Sequence, residues 1–255
     1  DIGEGYNNSA YFYVEINGVK YNIDTCQMRS VQTIVLTEPS GDGSISVTLP
    51  GGIILDKAGN TNESIVNSNS FVVDNTKPTI SNISNPTTSN DLNNTNVNKT
   101  HTISYVISIT EANLYYSLTA DTYTGTYSNG MGAGGVLLVT TGGVSCTTII
   151  ISGTGLTQTI TIGGCAGDSV GTVAIKIAAG SIMDLGHNTN NESSISKEII
   201  VDNTKPTISF SNPKVMENDN TNHFNNTHAN INHKTQYTMT ITEAHLEHSL
   251  TADTY

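Results

Sequence analysis

Tryptophan is absent from this chain of 255 residues, phenylalanine occurs four times, and aromatic residues make up only 6% of it. A core built here rests on Ile, Val, Leu and Tyr, without the large area that an indole buries. Charge is also scarce, at 13% of residues, and lopsided: 22 acids face 10 bases, for a formal net charge of −12. That shortage of bases excludes nucleic acid and anionic membrane as natural partners and favours divalent cations. No apolar run approaches the 18 residues or so of a membrane span, so no membrane insertion is expected of this segment. Nor is there an initiator Met or a charged-then-apolar leader at Asp1, and the chain is expected to be soluble and either processed or cut from something longer.

Catalytic signatures are missing too. The chain has no Gly-x-Ser-x-Gly elbow, no phosphate-cradling Gly-Lys-Ser/Thr loop and no His-Glu-x-x-His motif. The glycine-rich run Gly130 to Gly135 follows turn residues rather than a buried parallel strand, so it reads as a flexible hairpin tip. No enzyme is expected.

What the chain does have is repetition. Val73-Asp74-Asn75-Thr76-Lys77-Pro78-Thr79-Ile80 recurs letter for letter as Val201 to Ile208, 128 residues later. Leu55 to Asn60 answers to Met183 to Asn188 at the same offset, and Ile109 to Tyr123 returns as Ile241 to Tyr255 at an offset of 132. Repetition at this scale means an array of like modules, each large enough to bury its own core. The spacing assigns residues 1–76 to the C-terminal part of one repeat, 77–204 to a complete repeat, and 205–255 to the opening strands of another.

Within the repeats, apolar residues alternate with a period of two. Ile103, Tyr105, Ile107 and Ile109 share one face of a run, and Tyr237, Met239 and Ile241 keep the pattern in the later copy. Val173, Ile175 and Ile177 echo Ile45, Val47 and Leu49, as Ile199 and Val201 echo Phe71 and Val73. Such alternation is the mark of half-buried strands facing one core. With turn signals between them, roughly seven to nine strands per unit predict an all-β fold of antiparallel sandwiches. The Asn-rich stretches Ser81 to Thr100 and Asn212 to Lys234 read as long exposed loops, poor in core residues. The sequons at Asn62, Asn82, Asn98 and Asn191 are what an Asn- and Thr-rich composition produces by chance.

The pattern Asp-x-x-Gly-Asn followed by a strand ending Val-Asp-Asn-Thr-Lys-Pro-Thr-Ile resembles the tandem bacterial immunoglobulin-like repeats of large surface proteins and adhesins. Here it is Asp56 to Asn60 leading to Val73-Asp74, then Asp184 to Asn188 leading to Val201-Asp202. Gly171 to Gly180 also resembles the penultimate strand of that family. His187 departs from the usual Gly before Asn188, and the long Asn-rich loops are a second departure. The resemblance implies tandem immunoglobulin-like β-sandwiches in an extracellular or cell-surface protein, serving as stalk, adhesin shaft, or filament or layer subunit. A module binding a glycan or a receptor through its Asn-rich and Gly-rich loops, or an accessory domain of a secreted enzyme, are the alternatives. Tyr115, Tyr116, Tyr123 and Tyr127 form the one aromatic cluster that a glycan could use.

A hard cation such as calcium takes six to eight oxygen ligands. Asp56 and Asn60 lie on a loop near the end of a unit, Asp74 and Asn75 in the linker, and Glu111 just inside the following unit; their repeat partners are Asp184, Asn188, Asp202, Asn203 and Glu243. In the resembled family, calcium at such junctions stiffens the rod. The competing reading is that these Asp and Asn side chains cap turns and that Asp74 to Pro78 is simply a rigid linker.

Cys146 and Cys165 flank a hairpin whose midpoint falls between Gly155 and Leu156, which would set the two thiols across from each other for a disulfide. Cys26 is the aligned residue of the earlier copy, but Pro39 stands where its partner would be, leaving an unpaired or intermolecular thiol. The alternative is three reduced, buried cysteines. A disulfide would place the chain in an oxidising compartment. Of the late histidines, His245 and His248 replace Asn113 and Tyr116 and read as surface drift rather than a transition-metal site. The expected partner is the protein itself, either as neighbouring repeats or head to tail with strand complementation between chains.

Overall fold

A computed structural model of the protein describes residues 13–16, 19–22, 39–52, 54, 56–63, 66–90, 94–167, 169–216, 228 and 233–247. Among them there are strands and turns but no helix, and so no helix long and apolar enough to cross a membrane. Cys26, His223 and His248 lie outside the described residues, as does most of the second Asn-rich stretch.

The strands fall into three groups. The first holds β1 (Tyr13–Ile16), β2 (Val19–Asn22), β3 (Gly43–Leu49), β4 (Val66–Asn67) and β5 (Phe71–Val73). The second runs from β6 (Thr79–Ile83), β7 (Thr87–Thr88) and β8 (Asn96–Val97) through β9 (Thr102–Thr110), β10 (Leu114–Tyr116), β11 (Asp121–Tyr127), β12 (Gly132–Ala133) and β13 (Val136–Thr140). It continues with β14 (Cys146–Ser152), β15 (Thr157–Gly163), β16 (Gly171–Ile177), β17 (Met183–Asp184) and β18 (Ile199–Val201). The third holds β19 (Thr207–Phe210), β20 (Lys214–Met216), β21 (Lys234–Gln236) and β22 (Met239–Thr242).

The central group makes two sheets around one core. One runs β11-β14-β15-β9-β6, with β7 also on β9; the other runs β12-β13-β16-β18-β8. Every second residue of β9 turns inward, so Ile103, Tyr105, Ile107 and Ile109 are buried while Ser104, Val106 and Ser108 are not. Ile149, Ile151, Ile160 and Ile162 join them from the same sheet. Val136, Leu138, Val173, Ile175, Ile177, Ile199 and Val201 of the other sheet complete the cluster. The Tyr105 hydroxyl crosses the core to donate to the Lys197 carbonyl at 3.1 Å, which fixes the two sheets face to face without stranding a polar group. Gln158, also buried, serves the same end: its amide donates to the Leu118 carbonyl at 2.6 Å, and its oxygen accepts from the Leu118 amide at 3.1 Å.

The Asn-rich stretch after β6 is more ordered than its composition predicts. It supplies β7, and β8 pairs parallel with β18, so that Val97 enters the core at 3% exposure. One valine among asparagines suffices because the backbone, not the side chains, makes the pairing. The Gly130 to Gly135 run likewise forms a tight hairpin: Gly134 and Gly135, both at positive φ (59° and 86°), join β12 to β13.

The cysteine pair forms as its spacing requires. β14 and β15 pair with Ile149 opposite Ile162, and that register carries on to Cys146 opposite Cys165, which are bonded with their Cα atoms 4.0 Å apart. Ser145 and Ala166 exchange both backbone hydrogen bonds, so the cysteines occupy the neighbouring non-hydrogen-bonded pair, where strands approach most closely.

The flanking groups repeat pieces of the central one in the same register. β3 and β5 pair Gly43 with Val73 and Ile45 with Phe71, as β16 and β18 pair Gly171 with Val201 and Val173 with Ile199. β19 and β22 pair Thr207 with Thr242 and Ile208 with Ile241, as β6 and β9 pair Thr79 with Thr110 and Ile80 with Ile109. Ile45, Val47 and Val73 make a small second cluster, but Phe71, Ile208 and Phe210 remain exposed, at 65%, 60% and 67%.

Candidate metal centres at the linkers

The Asp-x-x-x-Asn loops are closed by their own side chains. In the first, the Asn60 amide donates to Asp56 Oδ1 at 2.8 Å and the Asn60 side chain to Oδ2 at 2.9 Å. These bonds from Asn60 hold the exposed Asp56 carboxyl below its ordinary pKa. In the second, Asn188 makes the same two bonds to Asp184, at 2.8 and 2.9 Å. Both loops need a left-handed residue, met by Gly59 at φ 90° and by His187 at φ 66°; the departure at His187 therefore leaves the turn intact. Unlike Asp56, Asp184 is fully buried.

That burial comes from the first linker. β17 pairs with β10, setting Asp184 opposite Leu114 and bringing the loop to the end of the sandwich where the chain enters it. There the Asn188 side chain donates to the Asp74 carbonyl at 2.9 Å, and Gly186 lies so close that a Cβ would sit 2.5 Å from the same oxygen. Asn113 donates to Asp74 Oδ2 at 2.9 Å, and Glu111 Oε1 accepts from the Asn113 amide at 2.7 Å. Ligand oxygens of Asp74, Glu111 and Asp184 consequently lie within 4.8 Å of one another. The linker is also tied backwards: Asn75 donates from its amide to Asp42 Oδ1 at 2.6 Å and from its side chain to the Gly41 carbonyl, and the Thr76 hydroxyl donates to Asp42 Oδ2. The Thr76 hydroxyl, then the Asn75 amide, hold the Asp42 carboxyl below its ordinary value. An open cleft of about 420 Å³ lined by Asp42, Asp74, Thr76, Glu111 and Asn113 lies at this joint.

The second linker is built the same way. The Thr204 amide donates to Asp202 Oδ1 at 2.9 Å, as that of Thr76 does to Asp74 Oδ1 at 3.1 Å. Glu243 Oε1 accepts from the His245 amide at 3.1 Å, and His245 Nδ1 lies 2.9 Å from Asp202 Oδ2, where Asn113 stands at the first linker. Burial raises the Asp202 pKa, but the bonds from Thr204 and His245 outweigh it and hold the carboxyl low. Asp202, Glu243 and His245 form a second group within 4.8 Å, on a cleft of about 390 Å³.

Of the residues singled out by spacing, the structure brings Asp74, Glu111 and Asp184 together, and Asp202 with Glu243. It regroups the rest. Asp184 and Asn188 sit at the first linker, 110 or so residues from Asp74 in sequence, rather than beside Asp202, because β17 pairs with β10. Asp56 and Asn60 bond to each other, and among the described residues Asp56 belongs to no group of three acidic, His or Cys ligands. Asn75 and Asn203 pin loops: Asn75 bonds Asp42 and the Gly41 carbonyl, and Asn203 Oδ1 accepts from the Lys99 amide at 2.8 Å. Asn113 and His245, which the offset of 132 pairs and the sequence reads as surface drift, stand at the two linkers, as does Asp42, to which no sequence signal pointed. Among the tyrosines, Tyr115 and Tyr116 are exposed, their ring centroids 5.9 Å apart, whereas Tyr123 and Tyr127 pack on the core.

No family model matches the chain, and comparison with curated proteins and with solved structures gives no match.

Proposed function

We propose that this chain is a structural repeat region of a bacterial extracellular surface protein, built of tandem immunoglobulin-like sandwiches whose joints are stiffened by calcium. Its role is that of a stalk, shaft or filament subunit, with no catalysis of its own. The observation that carries this reading is the duplicated linker: Thr76 and Thr204 cap Asp74 and Asp202 alike, and Asn113 and His245, 132 apart, each meet that Asp from the following unit.

Strand order supports the immunoglobulin-like assignment. In such sandwiches one sheet runs A-B-E-D and the other C-F-G. Taking β6, β9, β13, β14, β15, β16 and β18 as A to G gives that order here, with β11 added beside D. The disulfide favours an oxidising, extracellular setting. The apolar faces bearing Phe71 and Ile208 favour another repeat as partner, because the equivalent faces of residues 77–204 cover each other.

At the first linker the donors are all oxygen, which suits a hard cation: Asp74, Glu111 and Asp184 would hold it, with the cleft open to water for the remaining positions. Three carboxylates so close, one of them buried, repel one another until a cation draws them together. Native mass spectrometry and thermal melts test this. The expected result is bound calcium and a melting temperature that falls on chelation, with both effects lost in D184N. Absence of bound calcium together with an unchanged melting temperature refutes it. A glycan-binding role for exposed Tyr115 and Tyr116 is the second reading, and a glycan array with Y115A as control separates the two.

A further inference from the structure

The two linkers differ at one position that matters chemically. Where the first has the Asn113 amide against Asp74, the second has the His245 imidazole against Asp202, at the same 2.9 Å. An imidazole nitrogen is a poor ligand for calcium and a good one for zinc, nickel and copper(II).

A second observation points to a cation here. Glu243 Oε1 accepts the Ala244 and His245 amides at 2.8 and 3.1 Å, but its Oε2 is buried and has no hydrogen-bond partner. Among the described residues it is the only carboxylate oxygen in that state. A buried, unsatisfied anionic oxygen is costly unless a positive charge meets it. A cleft of about 390 Å³ lies in front of the three residues, with His101 and Asn98 among its other lining residues.

We propose that the second linker is a site for a divalent transition ion of the nickel, copper or zinc class, bound by Asp202, Glu243 and His245. It rests on the reading of the linkers as cation-held joints and departs from it in the ion.

The test is titration of the whole chain with nickel in excess calcium, followed by calorimetry, for the parent, H245N, E243Q and N113H. H245N places at the second linker the residue that the first already carries, so it retains the fold. The expected outcome is a tight nickel site weakened by about tenfold or more in H245N and in E243Q, with a second such site gained in N113H. Equal nickel affinity in parent and H245N overturns the proposal, as does displacement of nickel by equimolar calcium. Calcium bound at the first linker and abolished by D184N, beside a nickel titration blind to H245N, would sink this inference alone. Nickel binding that depends on His245 in a chain that takes no calcium would sink only the calcium reading.

Discussion

Replacing both Cys146 and Cys165 by alanine tests the central sandwich most directly. The bond closes a loop of 19 residues' separation, and freeing such a loop in the unfolded chain lowers stability by about 3 kcal/mol. Unfolding entropy of roughly 2.1 cal/mol/K per residue gives about 0.27 kcal/mol/K for residues 77–204, so the melting temperature of that unit should fall by about 11 °C. Both cysteines are almost wholly buried, and each lost sulfur removes further packing, so the figure is a lower bound on the fall. Calorimetry of the oxidised parent and of the C146A/C165A variant measures it. Thiol titration of the denatured, unreduced parent should find no free thiol from Cys146 or Cys165, and so at most one from the three cysteines. A fall of less than about 3 °C, or three titratable thiols, refutes the reasoning.

Gln158 should tolerate replacement poorly although it touches no cation: Q158L leaves the buried amide and carbonyl of Leu118 without partners and should cost about 2–3 kcal/mol in urea melts. Burial pushes the Tyr105 phenol up to about 12 from its ordinary 10.0. The neutral phenol is the form that fits, so its contribution is complete below pH 10 and is lost as pH rises from there to about 12. Y105F should lower stability by about 1 kcal/mol at neutral pH and flatten the alkaline loss; an unchanged alkaline slope would count against it.

The parts legible in the sequence were those set by local periodicity. Ile103, Tyr105, Ile107 and Ile109 face inward because a strand alternates, and Cys146 meets Cys165 because a hairpin fixes its own register. What eluded the sequence depends on contacts far apart in the chain. Val97 looked like one apolar residue in a polar loop until β18 paired with it, and nothing local to Gln158 says that it will be buried. The repeat places Asp184 near the end of its unit, towards the linker that holds Asp202, yet pairing of β17 with β10 brings it to Asp74. His245 reads as drift from sequence alone, where a substitution between repeats does not distinguish loss of a site from exchange of one donor for another.

The parallel pairing of β8 with β18 has a mechanical consequence. The two strands run side by side in the same direction, joined by the Ile200 amide to the Thr95 carbonyl and the Asp202 amide to the Val97 carbonyl, both at 2.9 Å. Tension applied along the chain would draw β8 backwards and β18 forwards, loading these bonds in shear and all at once. An antiparallel edge pulled at one end would peel one bond at a time. Under such a load the short strand in the Asn-rich stretch would act as a latch.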